Sequence, residues 1–187
     1  MKSWMWIAFA VAVLAQWAMP LTQILRHEKV LTQGALVKLR CTAPDPYDPL
    51  RGRFLRVSLQ PDHAKLPAGV EVESGATIYV KLLPGEDGVS TIADAALSPG
   101  DDGVWAQVKV RYNYSDATPI EWPIDRFYVN EVIAPEADKW LAENLRNREA
   151  PILAEVRVLD GRMVLENLSV DGRSFREILR ETLTLVK

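Results

Sequence analysis

The distribution of apolar and polar positions divides the chain into two unlike parts. From Trp4 to Leu25 the run WMWIAFAVAVLAQWAMPLTQIL contains no charged residue. As a helix it would be about 33 Å long, matching a bilayer hydrocarbon core of about 30 Å. Trp4 and Trp6 stand where an interfacial aromatic belt belongs, and Lys2 and Arg26 bound the run. The pattern predicts a membrane-spanning helix over 4–25, within an anchor of residues 1–29. Gln16, Pro20, Thr22 and Gln23 weaken its second half, so a cleaved signal peptide is the rival reading. Gln16-Trp17-Ala18 opposes cleavage, because a bulky polar residue stands where a small one is preferred.

Beyond residue 34 the period falls to two. ALVKLR (35–40), RFLRVSL (53–59), TIYVKLL (77–83) and VWAQVKVRY (104–112) read as strands. In the last, Val104, Ala106, Val108, Val110 and Tyr112 are expected on the buried face, and Trp105, Gln107, Lys109 and Arg111 on the wetter one. Four Asp-Gly pairs, at 87–88, 102–103, 160–161 and 171–172, supply residues that tolerate positive φ. The third joins ILAEVRVL to RMVLENL as a hairpin. A helix is expected after Pro135, with Ala137, Trp140, Leu141 and Leu145 as its apolar stripe. A second is expected near the C-terminus, where Ser174 and Glu177 form a capping box ahead of Phe175, Ile178, Leu179 and Leu183. Residues 60–74 and 115–123 read as long connections. The expected fold is therefore α+β: an N-terminal transmembrane helix followed by a mainly antiparallel β domain, residues 30–187, with two short helices.

Charge narrows the partners. Setting aside Lys2, Arg26 and Lys29 from 22 bases and Glu28 from 25 acids leaves 19 against 24, a formal charge of −5 beyond residue 29. Such a domain has no basic stripe to neutralise phosphates, which excludes nucleic acid as the expected partner. Cys41 is the sole cysteine, so no intramolecular disulfide can form, and His27 and His63 lack metal-ligand spacing. No metal or cofactor is expected. There is no Gly-x-Ser-x-Gly elbow, Ser-x-x-Lys or glycine-rich phosphate loop. Trp105, Trp122 and Trp140 can line a groove or serve as core.

The densest special segment is Thr42 to Phe54, where Pro44, Pro46 and Pro49 stiffen a loop bearing Asp45, Asp48, Arg51, Gly52 and Arg53. It can act as a recognition loop, or as a turn pinned by its own Asp–Arg and Asp–backbone bonds. Two carboxylates are too few for a closed calcium site, which takes 6–8 oxygens. Glu131 is an acid after an aromatic strand, read as a salt-bridge partner of Arg126 or Arg111 rather than a catalyst.

Asp45-Pro46-Tyr47-Asp48-Pro49-Leu50-Arg51-Gly52-Arg53-Phe54-Leu55-Arg56-Val57-Ser58-Leu59 resembles the defining segment of the bacterial GDYXXLXY proteins, which are membrane-anchored. Gly52 stands at the motif's glycine, Arg53 at its aspartate, Phe54 at its first tyrosine, Val57 at its leucine and Leu59 at its last tyrosine. No hydroxyl role is therefore carried over to positions 54 and 59. Asp125-Arg126-Phe127-Tyr128-Val129-Asn130-Glu131 resembles the family's later aromatic segment, with Val132 where that family favours glycine. The resemblance implies an envelope protein held by its N-terminal helix, associated with polytopic membrane proteins and without an established reaction.

The expected function is a non-catalytic, membrane-tethered accessory or interaction protein. Its expected contacts are the bilayer, through residues 4–25, and a polytopic membrane partner, through Asp45, Asp48, Arg51, Gly52, Arg53 and Glu131. The expected place is the bacterial inner membrane, with the domain outside the cytoplasm. A binding module for an envelope small molecule and an unrecognised extracytoplasmic enzyme are the alternatives.

Overall fold

The computed structural model describes residues 3–42, 54–67, 69–112, 117–128 and 151–185. Helix α1, Ser3–Gln33, runs past Leu25 with Pro20 inside it, so Arg26 bounds the apolar run but not the helix. Its 31 residues correspond to about 46 Å. The stretch Trp4–Gln33 is long and apolar enough to cross a membrane, and its apolar side chains from Trp4 to Leu25 are exposed, save the half-buried Val13. Val30, further on, is buried against the domain.

Gly34 ends the helix by donating its N–H to the Val30 carbonyl at 2.9 Å, and strand β1, Ala35–Thr42, begins at the next residue. Eleven further strands follow among the described residues: β2 Phe54–Arg56, β3 Ser58–Gln60, β4 His63–Ala64, β5 Thr77–Pro84, β6 Ser90–Ala96, β7 Val104–Val110, β8 Thr118–Glu121, β9 Arg126–Tyr128, β10 Ile152–Leu159, β11 Arg162–Val170 and β12 Arg173–Ser174. Helix α2, Phe175–Leu185, completes the order. The helix expected after Pro135 lies outside the described residues.

One sheet has the order β12-β11-β10-β1-β3, a second β4-β8-β7-β5-β6, and β2 and β9 form a two-stranded ribbon. Their pairings are antiparallel, as the α+β expectation requires. Every second residue of β10 (Ile152, Ala154, Val156, Val158) points inward, together with Val37 and Leu39 of β1. They share one continuous core with Ile78, Val80 and Leu82 of β5 and Ala106, Val108 and Val110 of β7. Burial of these alternating aliphatic side chains is the main driving force for the fold.

The Asp160-Gly161 turn connects β10 to β11 with φ of 51° and 79°, the pair of left-handed residues that a two-residue hairpin demands. Its tip docks on the other sheet: the Gln107 N–H donates to the Gly161 carbonyl at 2.8 Å. The hairpin thus covers part of the β7 edge that β8 leaves open, tying the two sheets together.

Several expectations need correction. RFLRVSL is two strands, because β2 pairs with β9 whereas β3 pairs with β1. The switch occurs at buried Val57, whose N–H donates to the Asp125 carbonyl at 2.8 Å. β7 stops at Val110, so Tyr112 falls outside the alternation and is exposed. Trp105 stands on the wetter face, as its register partner Lys81 does, yet it is buried there: its ring lies over Gly100 and its indole N–H donates to the Asp102 carbonyl at 2.7 Å. The two long connections contain β4 and β8, which pair with each other through His63–Pro119 and Ala64–Thr118. At α2, Ser174 stands in the capping position, but its hydroxyl donates to Asn167 Oδ1 at 3.1 Å.

Cys41 is buried in β1, and desolvation pushes its thiol pKa up to about 12. Native protein should therefore resist maleimide at neutral pH and take one label after unfolding in urea. Rapid labelling of the folded chain would contradict this burial.

Candidate functional site

The residues nominated by sequence, Asp45, Asp48, Arg51, Gly52, Arg53 and Glu131, all lie outside the described residues. Their flanks do not. Phe54, which follows Arg53, is the register partner of Tyr128 in the β2–β9 ribbon, and Leu55 is that of Phe127. The two segments that carry the family resemblance are therefore anchored on one ladder. Phe127 is buried and meets Phe175 of α2 edge to face, with ring centroids 6.2 Å apart, while Arg176 lies over its ring at 5.2 Å. Of the three tryptophans, Trp105 and Trp122 belong to the core, and Trp140 lies outside the described residues. His63 is exposed beside Asp62, with Nδ1 2.8 Å from its carboxylate.

A cleft of about 770 Å³ opens where α1 meets the sheets. One wall is the last stretch of α1, with Gln23, Arg26, His27 and Val30. The opposite walls are Lys109 of β7, Glu121 and Trp122 at the end of β8, Asp125 before β9, and Arg162 just after the hairpin tip. Local structure explains the arrangement. The register pairs Lys109 with Glu121, setting a cation and an acid side by side on one sheet face. Trp122 is turned inward, its indole N–H donating to the Pro61 carbonyl at 3.0 Å, which leaves its neighbours at the rim. The Asp160-Gly161 turn carries Arg162 to the same mouth.

Among the described residues, most of the cleft's charges form no ion pair: Arg26, Lys109, Glu121 and Arg162 form none, whereas Arg40, Lys81, Arg157 and Arg173 pair with Asp87, Asp102, Glu166 and Glu181. Asp125 has a partner in Arg126, at 3.4 Å. The paired acids show the effect of their partners. The Val89 N–H and then the Arg40 guanidinium hold Asp87 below its ordinary pKa, and Lys81 does the same for Asp102. A second depression, of about 540 Å³, lies beside Arg40, His63, Lys65 and Asp87, and there Arg40 pairs with Asp87 at 2.8 Å.

The family model described as GDYXXLXY protein matches residues 16–168. The chain belongs to the GDYXXLXY protein family. No curated protein and no solved structure matches it. The GDYXXLXY match begins inside α1 and ends inside β11, so it takes in the second half of the helix, the Gly34 junction and all the walls of the cleft. Sequence reasoning missed this cleft. Arg26 was visible as the boundary of the apolar run, but nothing in local spacing joins it to Lys109 or Arg162.

Proposed function

We propose that this GDYXXLXY protein is a non-catalytic accessory protein of the bacterial cell envelope, tethered in the inner membrane by α1 with its β domain outside the cytoplasm. The observation that carries this reading is the direct passage from α1 into β1. Val30 is buried in the domain, Gly34 is the single residue between helix and strand, and the Arg157 guanidinium donates to the Gly34 carbonyl at 3.2 Å. A domain built on its membrane helix without a linker is held at a fixed height and orientation, which suits contact with another membrane protein. The β2–β9 ribbon is the proposed contact, since it anchors both segments of the family resemblance and carries the exposed Tyr128.

Two measurements test this. Alkaline phosphatase fused after Lys187 should be active, and the full chain should stay in the membrane through alkaline carbonate extraction; an inactive fusion would reverse the orientation. A photo-crosslinking residue at position 128 should capture a polytopic membrane protein in intact cells, whereas one at the exposed Leu97, just after β6, should not. Equal capture from both positions would remove the ribbon as the contact. A second reading, a binding module for an envelope small molecule, is favoured by the volume of the junction cleft, which falls within the range of about 300–1,000 Å³ typical of ligand sites.

A further inference from the structure

The junction cleft lies at a particular height. Gln23 belongs to the apolar run that ends at Leu25, and Arg26 is the first charge after it, so the cleft opens where a bilayer's hydrocarbon gives way to its headgroups. Three basic side chains reach it from three separate elements: Arg26 from α1, Lys109 from β7 and Arg162 from β11. Guanidinium and ammonium groups arranged around a partly enclosed space suit a phosphate oxygen, to which arginine donates in forked pairs. Glu121 and Asp125 line the same space, Asp125 with one oxygen already 3.4 Å from Arg126. Their presence disfavours a purely anionic occupant and suits one that carries a cation beside its phosphate.

We propose that the cleft binds a phosphodiester bearing an ammonium group, the headgroup chemistry of an ethanolamine phospholipid. The phosphate is held by Arg26, Lys109 and Arg162, and the ammonium by Glu121 and Asp125. The acyl chains leave along the exposed apolar side of α1 beside Gln23. This deepens the small-molecule reading of the cleft and requires that α1 lie in a bilayer.

The test uses the full chain in a phosphate-free detergent, titrated with short-chain phosphatidylethanolamine, the matching phosphatidylglycerol and inorganic phosphate, with bound molecules counted by native mass spectrometry. The ethanolamine lipid should be retained in preference to the glycerol lipid. Lys109→Gln with Arg162→Gln should weaken retention of both lipids by about tenfold or more, the effect of losing charge-assisted hydrogen bonds. Arg26→Gln, on the exposed helix, gives the same test without touching the sheets. Glu121→Gln with Asp125→Asn should abolish the preference between the two lipids while retaining both. Unchanged retention in the cation variants overturns the site, and inorganic phosphate displacing lipid at equal concentration overturns the headgroup assignment. Carbonate extraction of the same chain reports on the tether separately: protein that stays in the membrane but does not discriminate the lipids loses the site and keeps the tether.

Discussion

Phe175→Ala is expected to destabilise the domain by about 4 kcal/mol, within the range of about 3–5 kcal/mol for removing a buried aromatic ring. Phe175 is fully buried and is the largest such side chain among the described residues. It starts α2 and fastens that helix to the core, and its ring packs against Phe127 of the β2–β9 ribbon. The lost ring removes both the apolar surface it covers and the edge-to-face contact, and backbone anchored in β12 and α2 cannot collapse fully into the space. Urea melting of the full chain in detergent measures the loss. Phe175→Leu, which keeps most of the volume, should recover more than half of it. A Phe175→Ala midpoint within about 1 kcal/mol of the parent, no more than an unremarkable substitution costs, would show that α2 is not part of the cooperative unit. Protease sensitivity should rise first around β9, because Phe127 loses its inner neighbour while Arg176 remains above it.

Which features were legible in the sequence follows from how local their causes are. The β10–β11 hairpin was readable because alternation and an Asp-Gly turn lie in one continuous stretch, and both turn residues do take positive φ. The apolar run of α1 was readable for the same reason, but not its extension to Gln33, which rests on Val30 finding a place in the domain. β6 reads STIADAA, with small and polar residues at an edge position, and has little alternation to detect. β4 and β8 are short, and Pro119 sits within the latter; β4 exists because it pairs with β8, and β8 because it pairs with both β4 and β7. Trp105 was read as wet because period gives the face but cannot foresee that Gly100 leaves room for an indole to be covered there. The junction cleft is still less local. Its cations come from residues 26, 109 and 162, and only the docking of a hairpin tip on β7 and of α1 on β10 and β11 brings them to one mouth.

Gly34→Ala is expected to cost about 3 kcal/mol, the upper end of the usual penalty for adding a methylene-sized group to a packed site. A Cβ there would overlap the Val30 carbonyl oxygen and would sit 3.1 Å from both the nitrogen and the oxygen of Val158. All three obstacles are backbone. Moving Val30 breaks the final hydrogen bond of α1, and moving Val158 disturbs its pairing with Ala35 where β1 meets β10. A flexible side chain could yield cheaply; a helix end and a strand ladder cannot. Gly172→Ala is the control, because that glycine has φ of 76° with nothing within 4 Å of the added carbon. It should lose only about 1 kcal/mol, from the left-handed backbone alone. The two variants separate conformational strain from a steric clash at the junction, and they differ in consequence as well as size. Gly172→Ala should leave lipid retention by the cleft intact, since it touches none of its walls. Gly34→Ala should reduce retention even at temperatures where the domain remains folded, because the clash tilts the wall that carries Arg26 away from the one that carries Arg162. If both variants melt alike, the helix is not seated on the domain through Gly34, and the fixed height on which the tethered reading depends has no structural basis.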